Sequence, residues 1–130
     1  MLKTLNAFGL SLPGTQPKSP RPGHDDVAVN DKTFAFMSAH DTHLAFSVKL
    51  PASGPDALRR PDASPTGYGL GKSGWVSFAL RDPAGADVEQ LKRWMFESYR
   101  AQAPRRLVKA LEDEQPWIRA GGLPEPQRRP

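Results

Sequence analysis

The segment of this chain nearest to a chemical signature is Gly69-Leu70-Gly71-Lys72-Ser73-Gly74, a G-x-G-x-x-G. Such a run binds a dinucleotide when a strand precedes it and a helix N-terminus follows, because the first helical amides then point at the pyrophosphate. Here a strand follows instead, beginning at Trp75. Gly71-Lys72-Ser73 also matches the end of a phosphate-binding loop, but Thr66 stands where that loop needs its first glycine. The segment therefore reads as a glycine-rich lead into a strand, and Lys72 is left to meet an anion without either motif.

His40 and His43 flank Asp41-Thr42. Two imidazoles at this spacing offer two metal ligands, yet a stable site needs a third and usually a fourth, and only Asp41 and the distant His24 are on offer. The pair reads as polar residues of a turn, with no metal expected. Nucleophilic catalysis has equally little to work with: no G-x-S-x-G occurs, and neither Ser73 nor Ser98 has an assignable base. Asp87 and Glu89 belong to a helix start, while Glu112-Asp113-Glu114 reads as a solvated end. No catalytic constellation and no cofactor are expected, so the chain reads as non-enzymatic.

Basic residues carry more information. Lys92, Arg93, Arg100, Arg105, Arg106 and Lys109 fall within eighteen positions against Glu97 alone. Arg93 and Arg100 share a helical face with Glu97 between them, which predicts internal pairing. The remaining cations sit where two adjacent helices could present them to a phosphate backbone, or where they simply solvate an outer face.

These residues must be held by a small domain. The 130 residues include 14 Pro and 11 Gly, with only 38% hydrophobic, so part of the chain is expected outside the core. Cysteine is absent, which excludes disulfides, thiolate metal sites and a cysteine nucleophile. No apolar run is long enough to span a membrane, and the first residues lack the basic flank and apolar stretch of a secretory signal; a cytoplasmic protein without membrane contact is expected. A net charge of +4 permits an anionic partner without requiring one.

Leu2, Leu5, Phe8 and Leu12 recur at helical spacing, and Pro13 stops that helix. Residues 16–23 read as an extended Pro-rich loop. The period then changes to two: Val27 and Val29, Phe34 and Phe36, and Leu44 to Leu50 predict three antiparallel strands of a meander. Ser53 reads as the N-cap of a short helix. Residues 60–74 read as irregular, and Trp75 to Leu80 as a strand. Asp87 to Gln90 forms a capping box for the longest helix, whose stripe is Val88, Leu91, Trp94, Met95 and Tyr99. Pro104 opens a last helix buried through Leu107, Val108 and Leu111. The fold class is α+β, a small antiparallel sheet with helices on one face, in the order α-β-β-β-(α)-β-α-α. Residues 1–115 form one domain, and 116–130 read as a flexible tail rich in Pro, Gly and Arg.

Several segments together resemble the MmcQ/YjbR family: Leu12-Pro13-Gly14, Asp31-Lys32-Thr33-Phe34-Ala35-Phe36, Ser47-Val48-Lys49-Leu50-Pro51, Gly69 to Val76, and Glu97-Ser98-Tyr99-Arg100. The resemblance runs from about Leu5 to Leu111. It implies a fold similar to CyaY, the bacterial frataxin homologue, described as a double wing, and it implies DNA binding. It singles out Lys32, Lys49, Lys72, Trp75, Ser98 and Tyr99. The three lysines are expected to converge on one anionic group, and Trp75 and Tyr99 to wedge the long helix onto the sheet. Frataxin-type iron binding does not carry over, because Leu2–Leu12 contains no carboxylate.

The expected function is a non-enzymatic module, a monomer or weak dimer, that contacts DNA phosphates through Lys32, Lys49 and Lys72 with Lys92, Arg105 and Arg106, showing little base preference. The alternative is an adaptor that takes an acidic protein or a small anion on the same lysines.

Overall fold

The structure is a computed structural model that describes residues 1–18, 24–67 and 69–125. Ten elements follow in the order α1 (Leu2–Leu10), β1 (Thr15–Pro17), β2 (Val27–Val29), β3 (Lys32–Ala39), β4 (Leu44–Lys49), α2 (Gly54–Ala57), β5 (Ala63–Pro65), β6 (Trp75–Leu80), α3 (Val88–Gln102) and α4 (Arg105–Glu114). The six strands form one sheet in the spatial order β1-β2-β3-β4-β6-β5, antiparallel throughout. The class is α+β, as the hydrophobic patterning predicts. Among the described residues no helix is long and apolar enough to cross a membrane.

The alternation that predicted β4 is what buries the core, and β6, expected from its β-branched and aromatic content, alternates in step with it. Leu44, Phe46 and Val48 stand in register with Leu80, Phe78 and Val76, and all six are buried. Against this face lies α3, through Leu91, Trp94, Met95 and Tyr99. Trp94 stacks on Phe78 with ring centroids 4.7 Å apart. Asp87 caps α3 by accepting from the Gln90 N–H at 3.2 Å, the predicted half of the capping box. At the sheet edge, Arg60 donates twice to Asp62 (2.9 and 2.8 Å) and lies over the Phe78 and Trp94 rings. Hydrogen bonding to Arg60 holds the Asp62 carboxyl below the ordinary carboxylate range.

Four expectations are corrected. The start of the expected loop, Gln16-Pro17, joins Thr15 in an edge strand that pairs with β2; residues 19–23 lie outside the described residues. The region read as irregular contains β5 and a 3-10 turn at Leu70–Ser73, because Ala63–Pro65 completes the open edge of β6. Phe34 and Phe36 were expected on one face, yet a bulge opposite Val27 and Ala28 turns Phe34 into the core while Phe36 points to the other side. The expected tail packs through residue 125: Pro116–Ala120 forms a 3-10 turn that buries Ile118. The buried Gln115 side-chain amide then clamps the Glu125 backbone by two hydrogen bonds, donating to its carbonyl at 2.9 Å and accepting from its N–H at 2.7 Å. Residues 126–130 lie outside the described residues.

The Leu12-Pro13-Gly14 corner joins α1 to β1. Gly14 is left-handed (φ 75°), and a β-carbon there would stand 2.8 Å from Leu107 Cδ1. The preceding carbonyl, Pro13 O, accepts from the buried Tyr99 hydroxyl at 2.7 Å. Burial raises the Tyr99 phenol to about 12.

The unfolded chain releases the Tyr99 proton near pH 10 while the native state holds it, so stability falls as pH rises from about 10 to about 12. Thermal melts across this range should show a steeper decline for the wild type than for Tyr99→Phe. Parallel declines would show that the phenol is not buried.

Candidate functional site

Three consecutive residues of α3 fix one end of the sheet. The bulge in β3 parts it from β4 just beyond Ala35 and Val48, the last pair of their ladder. The Ser98 hydroxyl fills the gap: it accepts from the Lys49 N–H at 2.8 Å and donates to the Phe34 carbonyl at 2.5 Å. Glu97 accepts from the Ala52 and Ser53 N–H groups (3.0 and 2.9 Å) and from the Ser53 hydroxyl (2.6 Å). Tyr99 reaches Pro13, with the Phe34 ring edge-on at 5.5 Å. One turn further, Gln102 donates to Thr33 O at 3.2 Å.

Glu97 thereby corrects two expectations. Ser53 does not cap α2 with its own side chain; it donates to Glu97, whose carboxylate satisfies the free N–H groups before that helix. With Glu97 so engaged, Arg93 and Arg100 find other partners. Arg93 donates to Gly121 O at 2.9 Å, and Arg100 pairs with Glu112 at 3.1 Å. The acidic end of α4, read as solvated, is correspondingly part-engaged, with Asp113 paired to Arg119.

The lysines stand around this anchored end. Lys32 opens β3, Lys49 closes β4, and Lys72 lies in the turn that feeds β6, so three neighbouring strands deliver them to one end of the sheet. Adjacent strands are about 4.8 Å apart, so β3, β4 and β6 together span roughly 10 Å across this end of the sheet. The lysines differ in face. Lys32 stands opposite Val29, whose side chain is in the core, whereas Lys49 stands opposite Trp75 on the face away from the helices. The topology thus yields a rim that wraps around the sheet end. Arg105 and Arg106 begin α4 just past Gln102, at the same end, and are exposed. None of these five cations forms an ion pair with a described residue.

Lys92 does not join them. It lies ten residues back along α3, roughly 15 Å from Gln102 at the helical rise. Its ammonium stands 5.6 Å from the centre of the Phe8 ring, in a groove of about 760 Å³ that also holds Lys3, Glu89 and Glu125. Sequence proximity to Arg93 had grouped it with a cluster from which the helix direction removes it.

Trp75 is also corrected. Tyr99 does bind α3 to the sheet, but Trp75 is on the opposite face, where its ring packs against Phe36 at 5.3 Å. The glycine-rich run is a structural turn: Gly69 and Gly74, both left-handed (φ 78° and 91°), bracket the 3-10 turn that carries Lys72. Gly74 O accepts from the Leu50 N–H at 2.8 Å, tying the turn to the end of β4. At the far end of the sheet, His40 and His43 stack 4.8 Å apart and bond to Ser38 and Thr42. Among the described residues no group of three or more candidate metal ligands comes together.

Fold and site together define a small α+β domain with one antiparallel sheet, helices on one face and a basic rim at one end. The YjbR family profile matches residues 10–101, most of that domain, and the chain belongs to the YjbR family. The crystal structure of the Deinococcus radiodurans protein DR2400, which carries a DUF419 domain, superposes with a TM-score of 0.66 at 21% identity. The match covers 88% of this chain and 86% of that one. At this identity the likeness establishes the fold. No curated protein matches the chain.

Ser98→Ala removes the group that satisfies the Phe34 carbonyl and the Lys49 N–H at a fully buried position. Urea denaturation should show a loss of about 1–3 kcal/mol. A loss below about 0.5 kcal/mol would mean that β3 and β4 close on each other without the hydroxyl.

Proposed function

We propose that this protein is a non-enzymatic binding module that contacts the phosphate backbone of DNA through the basic rim. The observation that carries the reading is the gathering of Lys32, Lys49, Lys72, Arg105 and Arg106 at the end of the sheet fixed by α3, with no ion-pair partner among the described residues. The nearest acids are occupied: Glu97 by three donors, Asp31 by Lys18 at 2.9 Å, and Glu112 by Arg100. Cations left in this way attract a polyanion chiefly by releasing its condensed counterions, a driving force that ignores base sequence. Family membership supports a binding module and leaves the choice of ligand to the site's chemistry.

Five phosphate contacts correspond to a slope of log affinity against log salt of about −4.5 for duplex DNA. Between 50 and 200 mM salt, affinity should fall by roughly two to three orders of magnitude. The triple variant Lys32→Ala, Lys49→Ala, Lys72→Ala should flatten the slope by about 3, while Lys92→Ala leaves it unchanged. Undetectable duplex binding at 50 mM salt would refute the proposal. Salt-tolerant capture of an acidic protein in its place, lost in the triple variant, would establish the adaptor reading.

A further inference from the structure

The sheet has a second face, turned away from α3, that no helix among the described residues covers. Register assigns to it three transverse rows: Lys49 with Trp75; Phe36 with Ser47, Ser77 and Ser64; and Ser38 with Ala45 and Ala79. Apart from the aromatic rings, Lys49 and the His24 that bridges Ser38 at the border, every side chain in these rows is a serine or an alanine. The floor is therefore flat. Its hydroxyls bond to one another, Ser47 to Ser77 at 2.7 Å and Ser77 to Thr66 at 2.8 Å. Phe36 stands above this floor, 39% exposed, with Trp75 packed beneath its edge and only 5% exposed. Lys49 is the one lysine or arginine in the three rows, His24 closes the third row beside Ser38, and Lys72 stands on the turn that leads into Trp75.

An exposed ring, a flat floor of small hydroxyl-bearing side chains and cations at the border are the parts from which single-strand binding surfaces are made. A base stacks on the ring, polar groups meet its edge, and the lysines track the phosphates. A duplex cannot use such a face, because its bases are already stacked and paired. We propose that single-stranded nucleic acid lies across this face, with one base on Phe36, its edge toward Ser47 and Ser77, and the adjoining phosphates on Lys49 and Lys72. The inference rests on the nucleic-acid reading of the rim and sharpens it: Lys49 and Lys72, which meet duplex phosphates at the rim, also border the open face, and Phe36 there adds a contact that only an unpaired strand can use.

Fluorescence anisotropy with a labelled twelve-nucleotide oligothymidine and a twelve-base-pair duplex, both at 50 mM salt, separates the possibilities. The single strand should bind more tightly than the duplex. Phe36→Ala and Phe36→Leu should each weaken single-strand binding about ten-fold or more, and neither should change duplex affinity. The leucine variant keeps an apolar side chain of similar bulk, so its failure to bind cannot be ascribed to unfolding. Single-strand affinity unchanged in both variants, or no tighter than the duplex, would overturn this inference while leaving the rim proposal standing. Absence of binding to either oligonucleotide would overturn both.

Discussion

One hydroxyl, that of Ser98, occupies the opening where β3 and β4 part beyond the bulge, and the basic end of the molecule is arranged around it. Without a donor and an acceptor at that point, two buried backbone groups would be left unpaired, an expense that no nearby contact offsets. Its neighbours extend the constraint. Glu97 holds the Ala52-Ser53 corner through its carboxylate, and Tyr99 holds Pro13 through its phenol. One helical turn thus fixes three chain segments far apart in sequence, and Lys32, Lys49 and Lys72 leave those segments or their direct neighbours. The positions that look most chemical in the chain, a Glu-Ser-Tyr-Arg run and a glycine-rich motif, act as fasteners, and the cations they place are what remains for a ligand.

The patterning of the chain made much of this visible. Alternating apolar residues marked β3 and β4, β-branched and aromatic content between turn residues marked β6, the Asp87 cap and its stripe marked α3, and Pro104 marked the start of α4, because each rests on a local rule of period, propensity or backbone geometry. What escaped depends on partners distant in the chain. Thr15–Pro17 and Ala63–Pro65 are too short to alternate, and they become strands only because β2 and β6 have open edges. The bulge that sends Phe34 and Phe36 to opposite faces is invisible to a strict period of two. Trp75 was expected under α3 with Tyr99 from the family resemblance. It is in fact buried, but beneath Phe36 on the other face.

The candidate site was legible in its residue types and less so in its shape. The family resemblance singled out Lys32, Lys49 and Lys72 and placed them together, and the strand order brings them to one end of the sheet. Their facing could not be read, because Lys32 and Lys49 lie on either side of the bulge and end on different faces. Charge counting along α3 erred in the opposite direction. It grouped Lys92 with cations from which ten residues of helix separate it, and it paired Glu97 with arginines when backbone amides of another segment hold it more closely. Backbone N–H groups leave no trace in a count of side-chain charges.

The central claim is that α3, through Glu97, Ser98 and Tyr99, presents a single basic surface at one end of the sheet. Amide-resolved NMR of the whole chain during titration with a short anionic duplex at low salt reads it directly. The account predicts shift changes concentrated at residues 32–34, 49–50, 72–75 and 104–106, with the 40–43 turn and the amides around Lys92 left in place. Changes centred on Lys92 and Phe8, or scattered evenly over the surface, would contradict it.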